Sequence, residues 1–257
     1  MAGPPALVIA RRELRLLAQD PLPLVLLLVV PVVFVGFLKP VLFIALVIEG
    51  YPGTNGVEQA APGAATMFSF LLAGLVGLSF FREHGWGMWD RLRASPATSP
   101  QLVVGKLLPL SMFALFQSAW IFATAALLFG LRVRGSVVAL VVMVVIATIT
   151  SVAFAVLVVA VAGTIQQVNA LANLGAALLA GLGGAIVPSF LLPGWVQAVG
   201  PYTPTYWVMS GYRAVILDGS GFDGIAVPTL VLLLFAAVFA AAALVRFSVE
   251  EAKQFWA

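Results

Sequence analysis

Side chains able to do acid, base or nucleophilic chemistry are scarce in this chain. One histidine, His84, and no cysteine occur in 257 residues, which excludes disulfides, thiolate metal sites and a Cys/His catalytic pair. His84 stands in a polar island, residues 81–106 (FREHGWGMWDRLRASPATSPQLVVGK), with Arg82, Glu83, Asp90, Arg91, Arg93 and Lys106. Among such charges it reads as a solvated or partner-facing residue rather than a base. The nearest approach to a phosphate loop, Gly105-Lys106-Leu107, lacks the earlier glycine and the Ser/Thr of a Walker A motif, so the chain binds no ATP in that way. What the island does offer is a surface. Trp86, Trp89 and Leu92 recur at i, i+3 and i+6, with Glu83, Asp90, Arg91 and Arg93 around them. An aromatic edge with mixed charge suits the groove of a partner protein. It equally suits an interfacial loop whose tryptophans sit at the headgroup level.

The segments that must hold this island are apolar. The chain is 62% hydrophobic and 9% charged, with a mean hydropathy of +1.11, far from the roughly 25% charge of a soluble domain. The fold class expected is all-α integral membrane. Six spans of near 20 residues, the length that crosses about 30 Å of hydrocarbon, fall at 22–38, 64–81, 107–129, 137–162, 168–187 and 225–245. The first has an open end, because the apolar run resumes after Lys39-Pro40 as far as Ile48. No room remains for a soluble catalytic domain, so any hydrolytic engine is a separate chain. The surplus of basic residues would suggest nucleic acid in a soluble protein, but the positive-inside bias is the simpler cause.

With the N-terminus inside, the inner segments hold Arg11, Arg12, Arg15, Arg82, Arg91, Arg93, Lys106, Arg246 and Lys253. The outer ones hold Lys39, Arg132, Arg134 and Arg213. This asymmetry favours cytoplasmic termini and places the island in the cytoplasm. Residues 6–19 plot as a helix with Arg11, Arg12, Arg15 and Gln19 on one arc and Leu7, Ala10, Leu14, Leu17 and Ala18 opposite, the pattern of an interfacial amphipathic helix. No small-x-small cleavage site follows, against a signal peptide. Asp20-Pro21 and Ser99-Pro100 read as helix starts.

Spans two to six contain no Asp, Glu, Lys, Arg or His, which leaves no relay for an ion-coupled carrier. Gln117, Asn169 and Asn173 either touch a substrate or make interhelical hydrogen bonds. Small residues recur every fourth position in the fifth span, at Ala172, Ala176, Ala180 and Gly184 and at Ala177, Gly181 and Ala185, for close packing within the chain or against a second subunit. The outer segment, 188–224, is broken by Pro188, Pro193, Pro201 and Pro204 among Phe190, Trp195, Tyr202, Tyr206 and Trp207. Short re-entrant or interfacial helices over the outer mouth fit it best.

Taken in order, these features resemble the ABC-2 type membrane subunits, the permeases of bacterial ABC exporters of the daunorubicin type. The matching residues are the basic N-terminal helix ending in Asp20-Pro21, and the island with Arg82-Glu83, Gly85, Asp90-Arg91-Leu92, Ser95-Pro96 and Gly105-Lys106. The six spans match as well, and so does the outer run Leu192-Pro193, Pro204-Thr205 and Arg213. Trp207 departs from the pattern, which has a smaller or polar residue there. The resemblance implies one transmembrane domain over 1–257: an interfacial helix at 1–20, a cytoplasmic coupling loop at 82–106 with its coupling helix at 83–94, and an outer re-entrant segment at 188–224. It implies a half-transporter that pairs with a second permease copy or paralogue in the cell membrane and binds two ABC ATPase subunits, which carry the ATP and magnesium. Arg11, Arg12, Arg15, Arg82, Glu83, Trp86, Trp89, Asp90, Arg91 and Leu92 would couple to the ATPase. Pro193, Trp195, Pro204, Tyr206, Trp207 and Arg213 would form the outer gate. The cargo expected is a lipophilic or amphipathic drug, antibiotic or lipid. A lipid-linked glycan and a non-transport membrane scaffold are the alternatives.

Overall fold

The computed structural model describes residues 5–19, 21–85 and 98–246, and among them every regular element is helical. In chain order these are α1 (Pro5–Gln19), α2 (Leu22–Glu49), α3 (Val57–Leu71), α4 (Ala73–Gly85), α5 (Ser99–Phe129), α6 (Val137–Val161), α7 (Ile165–Leu182), α8 (Gly194–Val199), α9 (Pro204–Ile216) and α10 (Phe222–Arg246). Short 3₁₀ turns at Ser189–Leu191 and Gly200–Tyr202 flank α8. Among the described residues six stretches are long and apolar enough to cross a membrane: α2, α3 with α4 (Val57–Phe81), Gln101–Phe129 of α5, α6, α7 and α10.

Several expected boundaries move. The first span does not stop at residue 38, because α2 continues through Pro31 and Pro40 to Glu49. A proline fits helical φ and removes one donor, and here a neighbour replaces it: the Gln117 side chain of α5 donates to the Leu27 carbonyl at 2.7 Å, the group Pro31 would otherwise have bonded. The second span starts at Val57 rather than 64 and the third helix at Ser99 rather than 107. These extensions bring buried Glu58 and Lys106 into the spanning helices, so the charge-free reading holds for their central runs and not for their ends. The start of α5 is set by Thr98, whose backbone N–H donates to Gln101 Oε1 at 3.0 Å, with Pro100 inside the first turn; the cap is therefore one residue earlier than Ser99.

Buried side chains form one core at the Glu49 end, joining Val35 and Leu42 of α2, Val57 and Ala61 of α3, Ile121 of α5, Met143 of α6 and Tyr212 of α9. A second core joins Phe81 of α4, Leu110 of α5, Val159 of α6 and Val168 of α7 towards the Lys106 end. The small stripe Ala172, Ala176 and Ala180 is buried, and Ala172 lies against Gly74 of α4. It is spent inside the chain. Ala177 is exposed and Gly181 faces open space.

The turn between α2 and α3 depends on a glycine. Gly56 has φ +90, and a Cβ there would lie 2.1 Å from the Lys39 carbonyl oxygen and 2.6 Å from the Phe43 nitrogen. Both backbones are fixed in α2, so neither can give way. Gly56→Ala should therefore lower stability by about 2 kcal/mol or more, the cost of a left-handed non-glycine residue plus the clash. Thermal unfolding of the purified chain in detergent measures this, with Gly50→Ala as the strained but unclashing control, since Gly50 has φ +104 and nothing near its Cβ.

Candidate functional sites at the two ends of the bundle

At the Glu49 end, α9 is wedged between the long helices. Thr205 Oγ1 donates to the Leu179 carbonyl of α7, and Gly183 is pressed against Thr205 and the Tyr206 nitrogen. Gly211 packs on Met143 and Pro228, and buried Tyr212 meets Phe122 edge to face at 5.2 Å. This embedding carries Arg213, one turn from the end of α9, to the ends of α2 and α3. Its guanidinium donates to Glu49 Oε1 at 2.6 Å and to Gln59 Oε1 at 2.8 Å. Gln59, fully buried, passes its own Nε2–H on to the Gly184 carbonyl at 2.9 Å. One chain of polar contacts thus ties the turn after α7 to α3, α9 and α2.

The clamp has an outer layer. Arg213 lies over the Tyr51 ring at 5.9 Å, and the Tyr51 hydroxyl donates to Asp218 Oδ1 at 2.6 Å. That hydrogen bond, with burial and the Asp218 charge adding to it, holds the Tyr51 phenol above its ordinary 10.0. The loop between α5 and α6 pairs with the same region, Gly135 N–H to the Val215 carbonyl at 2.9 Å and Arg134 to the Leu217 carbonyl at 3.3 Å. The final carbonyl of α5, at Phe129, accepts from Asn55 at 3.0 Å and Lys39 at 3.3 Å. Beside the clamp a polar cavity of about 170 Å³ opens between Ser189, Tyr206, Ser210, Arg213 and Asp218.

Of the residues expected to form an outer gate, Pro204 is buried as the first residue of α9, and Tyr206 and Trp207 are half-buried. Trp207 Nε1–H donates to the Pro201 carbonyl at 2.9 Å and its ring meets Tyr206 at 5.4 Å. Pro193 precedes α8, and Trp195 on that helix is 67% exposed. Arg213 is the one that reaches the clamp. Its partners Glu49, Gln59, Tyr51 and Asp218 were not foreseen, although a lone acid closing an apolar run is a signal that could have found Glu49. Gln117 is buried with its amide on α2, whereas Asn169 and Asn173 are exposed on α7.

At the opposite end, α1 lies against α5. Gly105 makes this possible, since a Cβ there would stand 2.8 Å from Ile9 Cβ and 2.9 Å from the Ala6 carbonyl oxygen. Glu13 and Lys106 are both buried, and Lys106 Nζ donates to the Ser79 carbonyl at 2.8 Å and lies 5.0 Å over Phe80. Arg11 and Arg15 are exposed and Arg12 half-buried. Arg82 and Glu83 belong to the last turn of α4. Trp86, Trp89, Asp90, Arg91 and Leu92, with most of the expected coupling helix, lie outside the described residues. No group of three His, Cys, Asp or Glu is placed to hold a metal among the described residues.

The ABC-2 type transporter family profile matches residues 6–217. The chain belongs to the ABC-2 type transporter family. It is also 24% identical over 196 residues to the linearmycin resistance permease protein LnrN of Bacillus subtilis, covering 76% of this chain and 50% of that one. It spans half the length of this relative. Family membership and the six apolar helical stretches make this a multi-pass membrane protein, of a family whose membrane subunits are generally non-catalytic.

Two outcomes follow for the clamp. Arg213→Gln should destabilise the chain by roughly 2 kcal/mol or more, because it leaves a largely buried carboxylate without its cation. Combining it with Glu49→Gln should then be less than additive by at least about 1 kcal/mol in a thermal double-mutant cycle. For Tyr51, whose phenol is held above 10.0, the stabilising hydrogen bond is complete below pH 10 and is lost as pH rises through the higher folded value. Unfolding measured across that alkaline window should show an extra loss of stability that Tyr51→Phe removes.

Proposed function

We propose that this chain is the membrane subunit of an ATP-driven ABC exporter that moves a lipophilic or amphipathic substrate from the inner to the outer side of the cell membrane. The observation that carries this reading is the family match across residues 6–217. Two features support it. The central runs of the second to sixth spans carry no Asp, Glu, Lys, Arg or His, which disfavours an ion-driven mechanism. The relative LnrN is named for resistance to linearmycin, which favours a drug or antibiotic over the alternative cargoes, a membrane lipid or a lipid-linked glycan.

In this reading the chain is half of a transporter. A second permease copy or paralogue would meet the exposed side of α7, where Asn169, Asn173 and Ala177 have no cover from this chain, and the substrate would pass along that seam. With both termini cytoplasmic, α1 would lie in the membrane interface, its exposed Leu7 and Leu14 towards lipid and Arg11 and Arg15, on the adjoining arc, towards headgroups. Residues 188–224 would be the re-entrant outer segment, with Trp195 at 67% and Tyr202 at 81% exposure suited to the headgroup level. Separate ATPase subunits would bind ATP and magnesium. Their closure would press on Trp86, Trp89 and Arg91 and on α1, and the push would travel through α4 and α5 towards the clamp that seats α9.

The purified chain alone should hydrolyse no ATP. Reconstituted with its ATPase in vesicles, it should support substrate-stimulated hydrolysis and transport. Trp89→Ala with Arg91→Ala should abolish transport by at least tenfold while membrane insertion stays intact, a loss on the order of 1.4 kcal/mol or more in coupling. Normal transport by that double variant, or transport by the chain without any ATPase, would overturn the proposal.

A further inference from the structure

A large cavity in the bundle lies away from the clamp and away from the α7 face. It is a groove of about 620 Å³ with α6 as its floor and α5 and α10 as its walls, closed at one end by Phe80 of α4. Val104, Leu107, Ile149, Ala153, Ala240 and Leu244 are among its lining residues. Val104 is 54% and Leu244 80% exposed, so the groove opens sideways, towards the lipid.

Three properties define what fits it. The first is length. Its floor runs along α6 from Val145 to Val159, about 21 Å at 1.5 Å per residue, long enough to take an acyl chain that fills one leaflet of the roughly 30 Å hydrocarbon core. The second is polarity. Its lining offers two hydroxyls, Ser111 and Thr148, and that of Thr148 already donates to the Val144 carbonyl at 2.8 Å. A polar ligand would leave its own groups unpaired there. The third is charge at the mouth. Arg246 is exposed on the last turn of α10, three residues beyond the lining residue Ala243 and hence on the same helix face. Lys106, in the same stretch of α5 as Val104 and Leu107, is buried and bonded to the Ser79 carbonyl, so the headgroup charge is met by Arg246.

We propose that this groove holds one acidic phospholipid of the leaflet at the Lys106 end, an acyl chain along α6 and the anionic headgroup at Arg246. The bound lipid fills the gap between α5 and α10, so the two helices move against an acyl chain rather than against each other. This site is separate from the transport reading, because it needs neither an ATPase nor a transported substrate.

The test uses the full-length chain in nanodiscs containing phosphatidylglycerol or phosphatidylcholine with a photoactivatable diazirine on one acyl chain, and maps the cross-links by peptide mass spectrometry. Phosphatidylglycerol should label the groove residues of α6 and α10 well above the lipid-exposed residues Phe37 and Val41 of α2, which are 78% and 64% exposed. Ala153→Phe with Ala240→Phe should bring groove labelling down to the α2 level; Val104→Phe, at an exposed wall position, serves if that pair does not fold. Arg246→Gln should cut the preference for phosphatidylglycerol over phosphatidylcholine about fivefold, the effect expected of one cation at a membrane surface, with phosphatidylcholine labelling unchanged. Labelling no greater in the groove than on α2, labelling that survives the filled groove, or equal labelling by the two lipids would overturn the proposal. So would cross-links in the groove to residues 247–257 or to a second copy of the chain.

Discussion

In hydrocarbon no water is at hand to satisfy a carbonyl or an amide, so every backbone group that a helix frees must find a partner within the protein. That constraint shapes this bundle more than any single apolar contact. Pro31 leaves the Leu27 carbonyl without its helical donor, and Gln117 reaches across from α5 to supply one. The last carbonyl of α5 is met by Asn55 and Lys39, and the loop after α5 finds its partners on the end of α9. Gln117 thereby holds α5 in register with α2, and Thr150, which also donates to the Leu232 carbonyl at 3.2 Å, ties α6 to α10. Thr66, Ser69, Thr124, Thr148 and Thr150 all bond to carbonyls of their own helices.

The same constraint explains why a strongly charged clamp is tolerated beside apolar helices. Arg213 has Glu49, Gln59 and the face of Tyr51 around it, so its charge is neutralised and its donors are directed. The second oxygen of Glu49 is buried without a hydrogen bond, and the clamp is consequently held by one carboxylate oxygen and one amide. Such an arrangement fixes α9 firmly while the pair is intact, and loses much of its hold if either partner moves.

The spans and the family were legible in the sequence because length, hydropathy and the order of punctuating motifs are local signals. Residues 39–63 were not. Lys39-Pro40 looks like a boundary, yet α2 passes through it, because Leu42, Ala45 and Leu46 are buried against neighbouring helices and outweigh one lost hydrogen bond. The clamp escaped for a different reason. Glu49 and Arg213 are separated by 164 positions, and only the packing of α9 against α3, α6, α7 and α10 makes them neighbours. Arg213 was placed at the outer gate from its motif, but its partners carry no motif of their own. The alanine stripe of α7 had two readings, and the burial of Ala172 against Gly74 settles that half of it in favour of internal packing.

Gly105 gives α5 an unusual mechanical character. Because α1 sits directly on its backbone there, the first turns of α5 cannot shift without α1, and α5 itself spans 31 residues, about 46 Å at 1.5 Å per residue. Its far terminus is pinned to the α2–α3 turn through Phe129. A rocking of only about 5° around its midpoint would swing the two extremities roughly 2 Å in opposite directions, given that length. In such a seesaw a small nudge on the N-terminal helix would reach the turn that carries Gly56.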